Sequence, residues 1–348
     1  MSAGEILLGV AGEGHRKPNP FAGGGLDRAT HLRADPRWLT DRLSDPASRV
    51  VPVWRERSLV SQTAREVAAK ADGLAYRPVL LPPELAASAS APPEEWIFLG
   101  LEGGRDGGRA LFAADVSGEA GEAGEAGGAG EGPPTDGSLD GAGKFLDLRG
   151  VGAMLGQGDG SLLAYARAIV TWSRRHRFCG SCGAPTRPEQ GGHVRRCADE
   201  ACGVDHFPRT DPAIIVLVTD GDRCLLGRKD IWPEGVYSTL AGFVEPGESL
   251  SEAVVREVRE ESGIEVASVR YRSSQPWPFP ASLMLGFRAE RVGGELTVAR
   301  QELVDARWFE RADFARRREI GLRLPGRVSI SRRLIEDWLA GAPESHYQ

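Results

Sequence analysis

The sequence predicts an α+β protein with a mostly β N-terminal region, a small cysteine-rich module and a C-terminal region that mixes strands with helices. Short apolar runs separated by Gly and Pro fill most of the first 170 residues, as strands of a sheet do. Four of the five cysteines then follow in two close pairs, and a glutamate-rich helical pattern lies between later strand-like runs. We therefore predict domains at residues 1–172, 173–208 and 209–348, a division that 348 residues can accommodate.

The N-terminal region is predicted to be a sheet followed by a helix. Its strand-like runs are "RVVPVW", "RPVLL", "EWIFLGL", "RALFAADV" and "KFLDL". The later stretch "SLLAYARAIVTWSRRH" has apolar residues at helical spacing. Gly, Ala and Glu dominate Ser117–Gly143, which we predict to be a disordered loop because it has almost nothing to bury. The region has no chemical motif, so we expect a scaffold, a dimer surface or part of a pocket.

Composition and charge exclude some classes of function. The formal net charge of −6 gives no sign of wholesale binding to nucleic acid or to anionic membranes. The N-terminal "MSAGEILLGVAGEG" has no basic segment before its apolar run, unlike a secretory signal. No stretch approaches the roughly 18 apolar residues that a membrane-spanning helix needs. We therefore expect a soluble, cytoplasmic protein.

The cysteines have the spacing of a metal site. They form two pairs, Cys179 with Cys182 and Cys197 with Cys202. Four thiolates at this separation suit a tetrahedral structural Zn²⁺ in a module too small to fold without it, so we predict a zinc ribbon. Free thiols, or replacement of one pair by His193 or His206, are the alternatives. The second pair is C-x₄-C where C-x₂-C is commoner.

The C-terminal region starts with a predicted hairpin and leads into a capped helix. Two strand-like runs in "DPAIIVLVTDGDRCLLGRKD" flank a turn at residues 219–222, and "GVYSTLAGFVEPGES" follows as strand and loop. Ser249 with Glu252 is a capping box, and Gly263 lies where a helix ends. A helix is therefore predicted between Ser249 and Gly263.

That helix concentrates negative charge on one face. Glu257, Glu260 and Glu261 lie at i, i+3 and i+4, so their carboxylates are neighbours that repel one another. A divalent cation would turn the repulsion into attraction, and oxygen ligands without thiols or imidazoles favour Mg²⁺ or Mn²⁺. Arg256 can orient Glu260. For E-x-x-E-E alone a solvated acidic face is the commoner explanation, so the surrounding pattern has to decide.

The surrounding pattern resembles the Nudix box, with every fixed position filled. Those positions are Gly242, Glu248, Arg256, Glu257, Val258, Glu260, Glu261, Gly263 and Ile264. The resemblance implies a C-terminal α/β/α sandwich. It also implies hydrolysis of nucleoside diphosphates linked to another moiety.

A second stretch, "SQPWPFPASLM" at residues 274–284, is similar to the signature of NADH pyrophosphatases of the NudC type, which carry a four-cysteine ribbon before the Nudix domain. Its three prolines restrict the backbone while Trp277 and Phe279 present flat faces that can stack on nicotinamide or adenine. Packing of these aromatic rings on the core is the alternative. The resemblance implies as substrate-binding residues Phe207 (where Tyr is usual), Gln275, Pro276, Trp277, Pro278, Phe279, Pro280, Ala281, Ser282 and Ser331.

The resemblance also implies a mechanism in which Mg²⁺ or Mn²⁺ bridges the helix carboxylates and the pyrophosphate and helps to deprotonate water. The implied catalytic residues are Glu248, Arg256, Glu257, Glu260 and Glu261, with Glu260 as general base or further ligand. The implied metal ligands are the Ala241 carbonyl, Glu257, Glu261 and Glu302, the last of which could equally be a surface glutamate. NADH or NAD⁺ would give nicotinamide mononucleotide and AMP. We expect a homodimer.

Two other functional classes remain for comparison. A Nudix enzyme specific for ADP-ribose or coenzyme A would keep the box without needing "SQPWPFPAS". A non-catalytic zinc-ribbon binding protein should have lost a carboxylate, and none is lost. The sequence leaves open whether free NADH or the NAD cap of RNA is the substrate. Five arginines around the cysteines could contact RNA phosphates or simply solvate the surface: Arg174, Arg175, Arg177, Arg195 and Arg196.

Overall fold

The computed structural model describes residues 17–63, 75–87, 95–104, 108–117, 141–299 and 302–341. Most of the predicted disordered loop, residues 118–140, lies outside them. Contacts divide the chain into two compact units, Met1–Arg209 with Pro278–Ala281 and Thr210–Trp277 with Ser282–Gln348. Within the described residues, no helix combines the length and apolar character that crossing a membrane requires.

The first unit contains a six-stranded sheet and a long helix. Its strands are β1 (Arg49–Trp54), β2 (Arg57–Thr63), β3 (Ala75–Pro78), β4 (Trp96–Glu102), β5 (Arg109–Asp115) and β6 (Lys144–Leu146). Its helices are α1 (Pro36–Leu43), α2 (Pro83–Ala87), α3 (Leu148–Val151) and α4 (Gln157–Arg175), with short 3₁₀ turns at Thr30–Leu32 and Gly152–Met154. The strand order is β3-β2-β1-β5-β4, with β6 pairing β2. All pairs are antiparallel except β1 with β5.

The apolar runs in this unit become strands because their residues are buried. Residues 50–54 of β1 and 110–114 of β5 are all buried, as continuous apolar strands in a sheet centre are. "RPVLL" differs from the prediction: β3 ends at Pro78, and Leu81 forms only an isolated bridge with Val50. Helix α4 starts at Gln157, earlier than its apolar periodicity suggests.

A second, three-stranded sheet in the same unit carries the cysteines. It consists of β7 (Thr186–Glu189), β8 (Val194–Cys197) and β9 (Asp205–His206), in the order β7-β8-β9 and all antiparallel. Cys179 and Cys182 lie in the turn before β7. Gly183, which follows Cys182, has a φ of 77°. Such a φ favours glycine.

The second unit is a sheet covered by helices on both faces. Its strands are β10 (Asp211–Asp220), β11 (Arg223–Arg228), β12 (Leu240–Phe243), β13 (Glu265–Trp277), β14 (Ser282–Gly293) and β15 (Asp305–Glu310). Its helices are α5 (Leu250–Ser262), α6 (Arg311–Ala315) and α7 (Ile330–Leu339). The strand order is β13-β14-β10-β11-β15, β12 pairs β10, and only β10 with β14 is parallel.

Strand β10 shows why this unit has three layers. Ile214 and Val216 belong to the core beneath α5, whereas Ile215 and Leu217 belong to the core beneath α7. Alternate residues of a strand point to opposite faces, so an unbroken apolar run needs a covering layer on each side. The expected α/β/α sandwich and the predicted hairpin between β10 and β11 are both present.

Helix α5 has the predicted ends. Ser249 accepts a hydrogen bond from the Glu252 N–H while the Glu252 side chain accepts one from the Ser249 N–H. At the other end Gly263 adopts φ 69°, and a Cβ there would overlap Thr297 Oγ1 and lie 2.7 Å from the Glu295 carbonyl oxygen. Gly263 is therefore required both by its backbone conformation and by the lack of space.

We predict that Gly263→Ala lowers the free energy of unfolding by more than about 2 kcal/mol, because left-handed strain and steric overlap add. Gly247→Ala is the matched control, since Gly247 has φ 92° but open space around its Cβ position. It should cost only the strain, about 1 kcal/mol. Chemical denaturation of both variants measures the difference, and equal costs would show that the helix end moves to relieve the overlap.

Candidate active site

The acidic residues meet where α5 packs on β12. Glu257 and Glu261 are 8% and 1% exposed, respectively, while Glu260 points to solvent. A Cβ on Gly242 of β12 would overlap the Glu257 carboxylate. The glycine of the motif is therefore needed because this carboxylate lies directly against the strand backbone.

Glu261 is buried without a close hydrogen bond. Neither of its carboxylate oxygens has a close hydrogen-bond partner among the described residues. Lys229 forms a long ion pair with it, 3.9 Å from Nζ to Oε1, and the Ala241 backbone also favours its charged form. Burial raises the pKa of Glu261 to about 7; Lys229 opposes the shift, and Glu302 and Glu257 add to it. A buried carboxylate whose ion pair is this long remains costly unless a closer positive charge binds it.

Glu257 and Glu302 belong to the same cluster. Burial raises the pKa of Glu257, Arg256 lowers it, and Glu302 and Glu260 raise it further. Glu302 thus lies close enough to act on both buried carboxylates. The sequence allowed Glu302 to be an unrelated surface glutamate, whereas the fold brings it to the acidic face of α5.

Arg256 connects the outer carboxylates. Its guanidinium donates to Glu248 at 2.6 and 3.0 Å, to Glu257 at 2.9 Å and to Glu260 at 3.2 Å. It also donates to the Phe243 carbonyl at 2.9 Å. The hydrogen bonds from Arg256 lower the pKa of Glu248 to about 2. Arg256 therefore counters the charge of the three glutamates that it contacts. Glu261 is not among them, so its charge has to be countered by a different cation.

A cavity of 230 Å³ opens beside Glu261. Its walls are formed by Ile215, Gly227, Lys229, Trp232, Ser238, Thr239, Leu240, Ala241, Glu261, Gln275, Trp277, Met284, Leu303, Ser329 and Ile330. Ala241, Glu261, Gln275 and Trp277 were predicted from the sequence as site residues. Lys229 and Trp232 were missed, and the only signal for them was a rare lysine and a tryptophan in the loop "GRKDIWPEG".

Gln275 and Ser331 support the wall of this cavity. Gln275 is fully buried; it donates to the Val328 carbonyl at 2.7 Å and accepts from the Ile330 N–H at 2.8 Å. Ser331 Oγ accepts from Thr239 N at 3.1 Å, and the Ser331 N–H donates to Ser329 Oγ at 3.2 Å. Ser331 itself is fully buried, and its neighbours Ser329 and Ile330 line the cavity.

The proline loop is divided between the two units. Gln275, Pro276, Trp277 and Ser282 lie in β13 and β14, with Trp277 opposite Ser282. Residues 278–281 (Pro278, Phe279, Pro280 and Ala281) are part of the first unit, and the Phe279–Pro280 peptide is cis.

The two aromatic residues of the loop have different surroundings. Trp277 lines the cavity. Phe279 is buried; Arg149 and Arg167 lie 4.4 and 4.8 Å from its ring centroid, and Phe21 packs edge-on at 6.0 Å. For Phe279 the packing alternative is the one observed. Phe207, by contrast, is exposed in the first unit just after β9.

The four cysteines converge as a metal site requires. Their Sγ atoms all lie within 4.8 Å of one another, with Cys179 to Cys202 at 3.8 Å and Cys182 to Cys197 at 3.4 Å. A tetrahedron with Zn–S bonds of about 2.3 Å has sulfur–sulfur distances of about 3.8 Å. The C-x₄-C spacing of the second pair therefore still allows all four thiolates to ligate one ion.

Neither histidine replaces a cysteine pair. His206 Nε2 lies 3.3 Å from Cys179 Sγ, beside the cluster. His193 Nε2 lies 2.8 Å from the Phe98 carbonyl and 3.2 Å from Tyr165 Oη. Burial lowers the pKa of His193 to about 4, so this histidine is a neutral core residue.

The arginines around the cysteines are mostly engaged within the protein. Arg195 is buried and donates to Glu95 at 2.7 Å and to Ser173 at 2.6 Å. Arg196 pairs with Asp205 through two hydrogen bonds. Arg174 approaches Asp115 at 3.8 Å, Arg175 pairs with Glu56 at 3.1 Å, and Arg177 also has a partner. Each of the five arginines therefore has a partner within the protein.

The carboxylate cluster has the character of an open site for a hard cation, in which the protein supplies only some of the ligands. In the described part of the chain, only the cysteines bring three or more ligand atoms within 4.8 Å of one another. Mg²⁺ typically uses few protein carboxylates and completes its shell with water and substrate phosphate. Glu261, whose two buried oxygens have no close hydrogen-bond partner among the described residues, provides such a partial site, and two indoles line the cavity beside it.

Three family models match successive segments of the chain. A NUDIX domain matches residues 209–327, an NADH pyrophosphatase-like rudimentary NUDIX domain matches 47–172, and an NADH pyrophosphatase zinc ribbon domain matches 174–207. The solved NUDIX hydrolase from Nitrosomonas europaea is similar over 49% of this chain and 96% of its own, with 22% identity and a TM-score of 0.40.

Several relatives are called NAD-capped RNA hydrolase NudC. That of Stutzerimonas stutzeri is 52% identical over 186 residues, 53% of this chain and 64% of the relative's length. That of Mycobacterium bovis BCG is 39% identical over 265 residues, 72% of this chain and 78% of the relative's length. With three matched domains and relatives at this similarity, the chain belongs to the NUDIX family, in the NADH pyrophosphatase-like group that includes the NudC proteins.

Proposed function

We propose that the protein hydrolyses the pyrophosphate bond of NADH and NAD⁺ to nicotinamide mononucleotide and AMP, and that it removes NAD caps from RNA 5′ ends. One observation carries the proposal: the buried Glu261 carboxylate has no close hydrogen bond among the described residues and faces a cavity lined by two indoles. A divalent cation and a planar base would complete this arrangement. The name of the NudC relatives supports NAD-capped RNA as a substrate, and the names of two matched family models support NADH.

Different residues of the acidic cluster would bind the metal and accept the proton. Glu257, Glu261, Glu302 and the Ala241 carbonyl would hold Mg²⁺ or Mn²⁺. The bound metal would polarise the pyrophosphate and lower the pKa of a coordinated water. Glu260, the most exposed glutamate of the face, would accept the proton of the attacking water.

Arg256 and Glu248 would act by orientation. Arg256 is a planar donor that contacts three glutamates and one carbonyl, so it fixes the carboxylate of Glu257 in one direction. Glu248 in turn holds the guanidinium through two hydrogen bonds. Neither residue needs to change its protonation state for this role.

Substrate recognition would rely on the cavity. Trp277 and Trp232 would enclose a base, since stacking on an aromatic ring contributes roughly 1–3 kcal/mol per base. Lys229, near Glu261, would meet a phosphate oxygen. We further propose that zinc occupies the four-cysteine cluster as a structural ion and that the protein is a cytoplasmic homodimer.

Glu261→Gln should nearly abolish hydrolysis but stabilise the metal-free protein at pH 8. The pKa of Glu261 rises from 4.5 to about 7 on folding, so metal-free wild type loses stability as pH increases from 4.5 to 7, reaching a loss of up to about 3 kcal/mol. Glu261→Gln has no carboxyl group to ionise at this position, so it does not lose stability over this pH range. Chemical denaturation in EDTA at pH 5 and pH 8 measures it.

Glu260→Gln is the matched control for stability, because Glu260 is exposed. It should unfold like wild type at both pH values. Equal stability of Glu261→Gln and wild type at pH 8 would show that Glu261 bears no uncompensated charge, and full turnover by Glu261→Gln would remove the carboxylate mechanism.

Cys179→Ser should release the ribbon's metal, because one of four converging thiolates is lost, and should lower the melting temperature since structural zinc contributes directly to folding. Zinc content by elemental analysis and thermal unfolding check both effects. Cys224→Ala, which changes a buried thiol outside the cluster, should keep its zinc. Retention of zinc by Cys179→Ser would exclude the proposed four-thiolate site.

Trp277→Ala should raise KM for NADH about tenfold or more, because stacking is lost, while the concentration of Mg²⁺ needed for activity stays unchanged. If the indole stacks on the nicotinamide, ADP-ribose, which lacks that ring, should be affected less. Steady-state kinetics on both substrates measures this. Equal losses would assign Trp277 to the adenine end, and no loss on either would make the loop purely structural.

A further inference from the structure

Three hydroxyl groups meet at the wall of the cavity in the second unit. Ser331 Oγ lies 2.8 Å from Ser238 Oγ and 2.9 Å from Thr239 Oγ1, and it accepts a hydrogen bond from the Thr239 N–H at 3.1 Å. Ser238 and Thr239 line the cavity, whereas Ser331 belongs to α7 and is fully buried. These residues therefore form one hydrogen-bonded group.

The number of protons in this group limits the directions of its hydrogen bonds. A serine oxygen can accept two hydrogen bonds and donate one. The Thr239 N–H occupies one acceptor position of Ser331 Oγ. Ser331 therefore accepts from only one of the two neighbouring hydroxyls and donates its own proton to the other. The hydroxyl that receives the Ser331 proton keeps its own proton for a further partner.

Burial decides which of the two hydroxyls keeps that proton. Thr239 is 4% exposed, and a buried donor without an acceptor is unfavourable. Ser238 is partly exposed and borders the cavity. Thr239 therefore donates to Ser331, and Ser331 donates to Ser238. The Ser238 proton is left to point into the cavity.

The backbone of Ser238 is fixed on both sides. The Ser238 N–H donates to the Gly227 carbonyl at 2.9 Å, and the Gly227 N–H donates to the Ser238 carbonyl at 2.8 Å. Strand β12 begins two residues later, at Leu240, and pairs with β10. A group that is held in place before a ligand arrives loses little conformational entropy on binding. The Ser238 hydroxyl is therefore suited to recognise a hydrogen-bond acceptor.

We propose that Ser238 is a substrate-binding residue whose hydroxyl donates to an acceptor oxygen of the dinucleotide, and that Ser331 is the positioning residue that directs this proton. The inference rests on the proposed function, since it assigns the cavity to the substrate. Gln275 also lines the cavity, but its amide is engaged with the Val328 carbonyl and the Ile330 N–H. Ser238 would thus supply a neutral donor that the amide of Gln275 does not.

Ser238→Ala tests the proposal, because it removes the donor and changes little else. KM for NADH should rise about fivefold, as loss of one hydrogen bond allows, with kcat nearly unchanged. Thr239→Val removes the other hydroxyl that lines the cavity while keeping the shape of the side chain, and it should raise KM less than half as much. Thr219→Val is the matched control. It removes a buried hydroxyl that donates to the Ala289 carbonyl outside the cavity wall, so KM should not change.

An unchanged KM in Ser238→Ala, or a larger rise in Thr239→Val, would overturn the inference. Steady-state kinetics with ADP-ribose locates the acceptor. If Ser238→Ala raises KM for ADP-ribose as well as for NADH, the acceptor lies in the part that the two molecules share. A rise for NADH alone places it on the carboxamide of the nicotinamide, which ADP-ribose lacks.

A double variant tests whether Ser331 acts through Ser238. Ser331→Ala alone should raise KM about twofold or more, because the Ser238 hydroxyl loses the hydrogen bond that orients it. In a Ser238→Ala background the same change should alter KM less than about twofold, because residues that act through one another are not additive. An equal loss in both backgrounds would refute the positioning role.

Amide hydrogen exchange provides a measurement that does not depend on activity. The Thr239 N–H should exchange faster in Ser331→Ala than in Ser238→Ala, because only the first variant removes its acceptor. Equal exchange would refute the hydrogen bond from which the proton directions follow. If wild type fails to hydrolyse NADH, the proposed function fails, while the exchange experiment still tests the hydroxyl group arrangement. If wild type hydrolyses NADH and Ser238→Ala matches it, only the present inference fails.

Discussion

The second unit depends on the close approach of α5 to β12. Val254 and Val258 bury one side of the helix in the core beneath it, and the same packing carries Glu257 and Glu261 below the surface. The approach is possible only because Gly242 has no side chain where the Glu257 carboxylate lies. This one packing contact thus determines how deeply the carboxylates of the acidic cluster are buried. Their solvent exposure and the shifts in their pKa values follow from it.

The pKa values of two carboxylates in the cluster shift in opposite directions because hydrogen bonding dominates at Glu248 and burial dominates at Glu261. Glu248 is matched by Arg256 through two hydrogen bonds, so its charge costs little. Glu261 has no such partner among the described residues, and its pKa is raised to about 7. A fold that buries an acid with only a long ion pair beside it gives up stability at that position.

Local patterns predicted much of this structure. The capping box at Ser249, the left-handed Gly263 and the hairpin after β10 each depend on a few neighbouring residues, and all are present. Lys229 and Trp232 could not be predicted as cavity residues, because they reach it only through the tertiary fold. The same limit explains the histidine alternatives, which only three-dimensional distances could decide.

The proline motif shows how a continuous sequence signal can hide two physical roles. Trp277 and Phe279 are two residues apart, and the spacing suggests a pair of stacking faces. In the structure Trp277 lines the cavity, whereas Phe279 is enclosed by arginines of the first unit. Residues so close in the sequence therefore have different surroundings, because each ring packs according to the tertiary contacts around it and not according to the spacing of the motif.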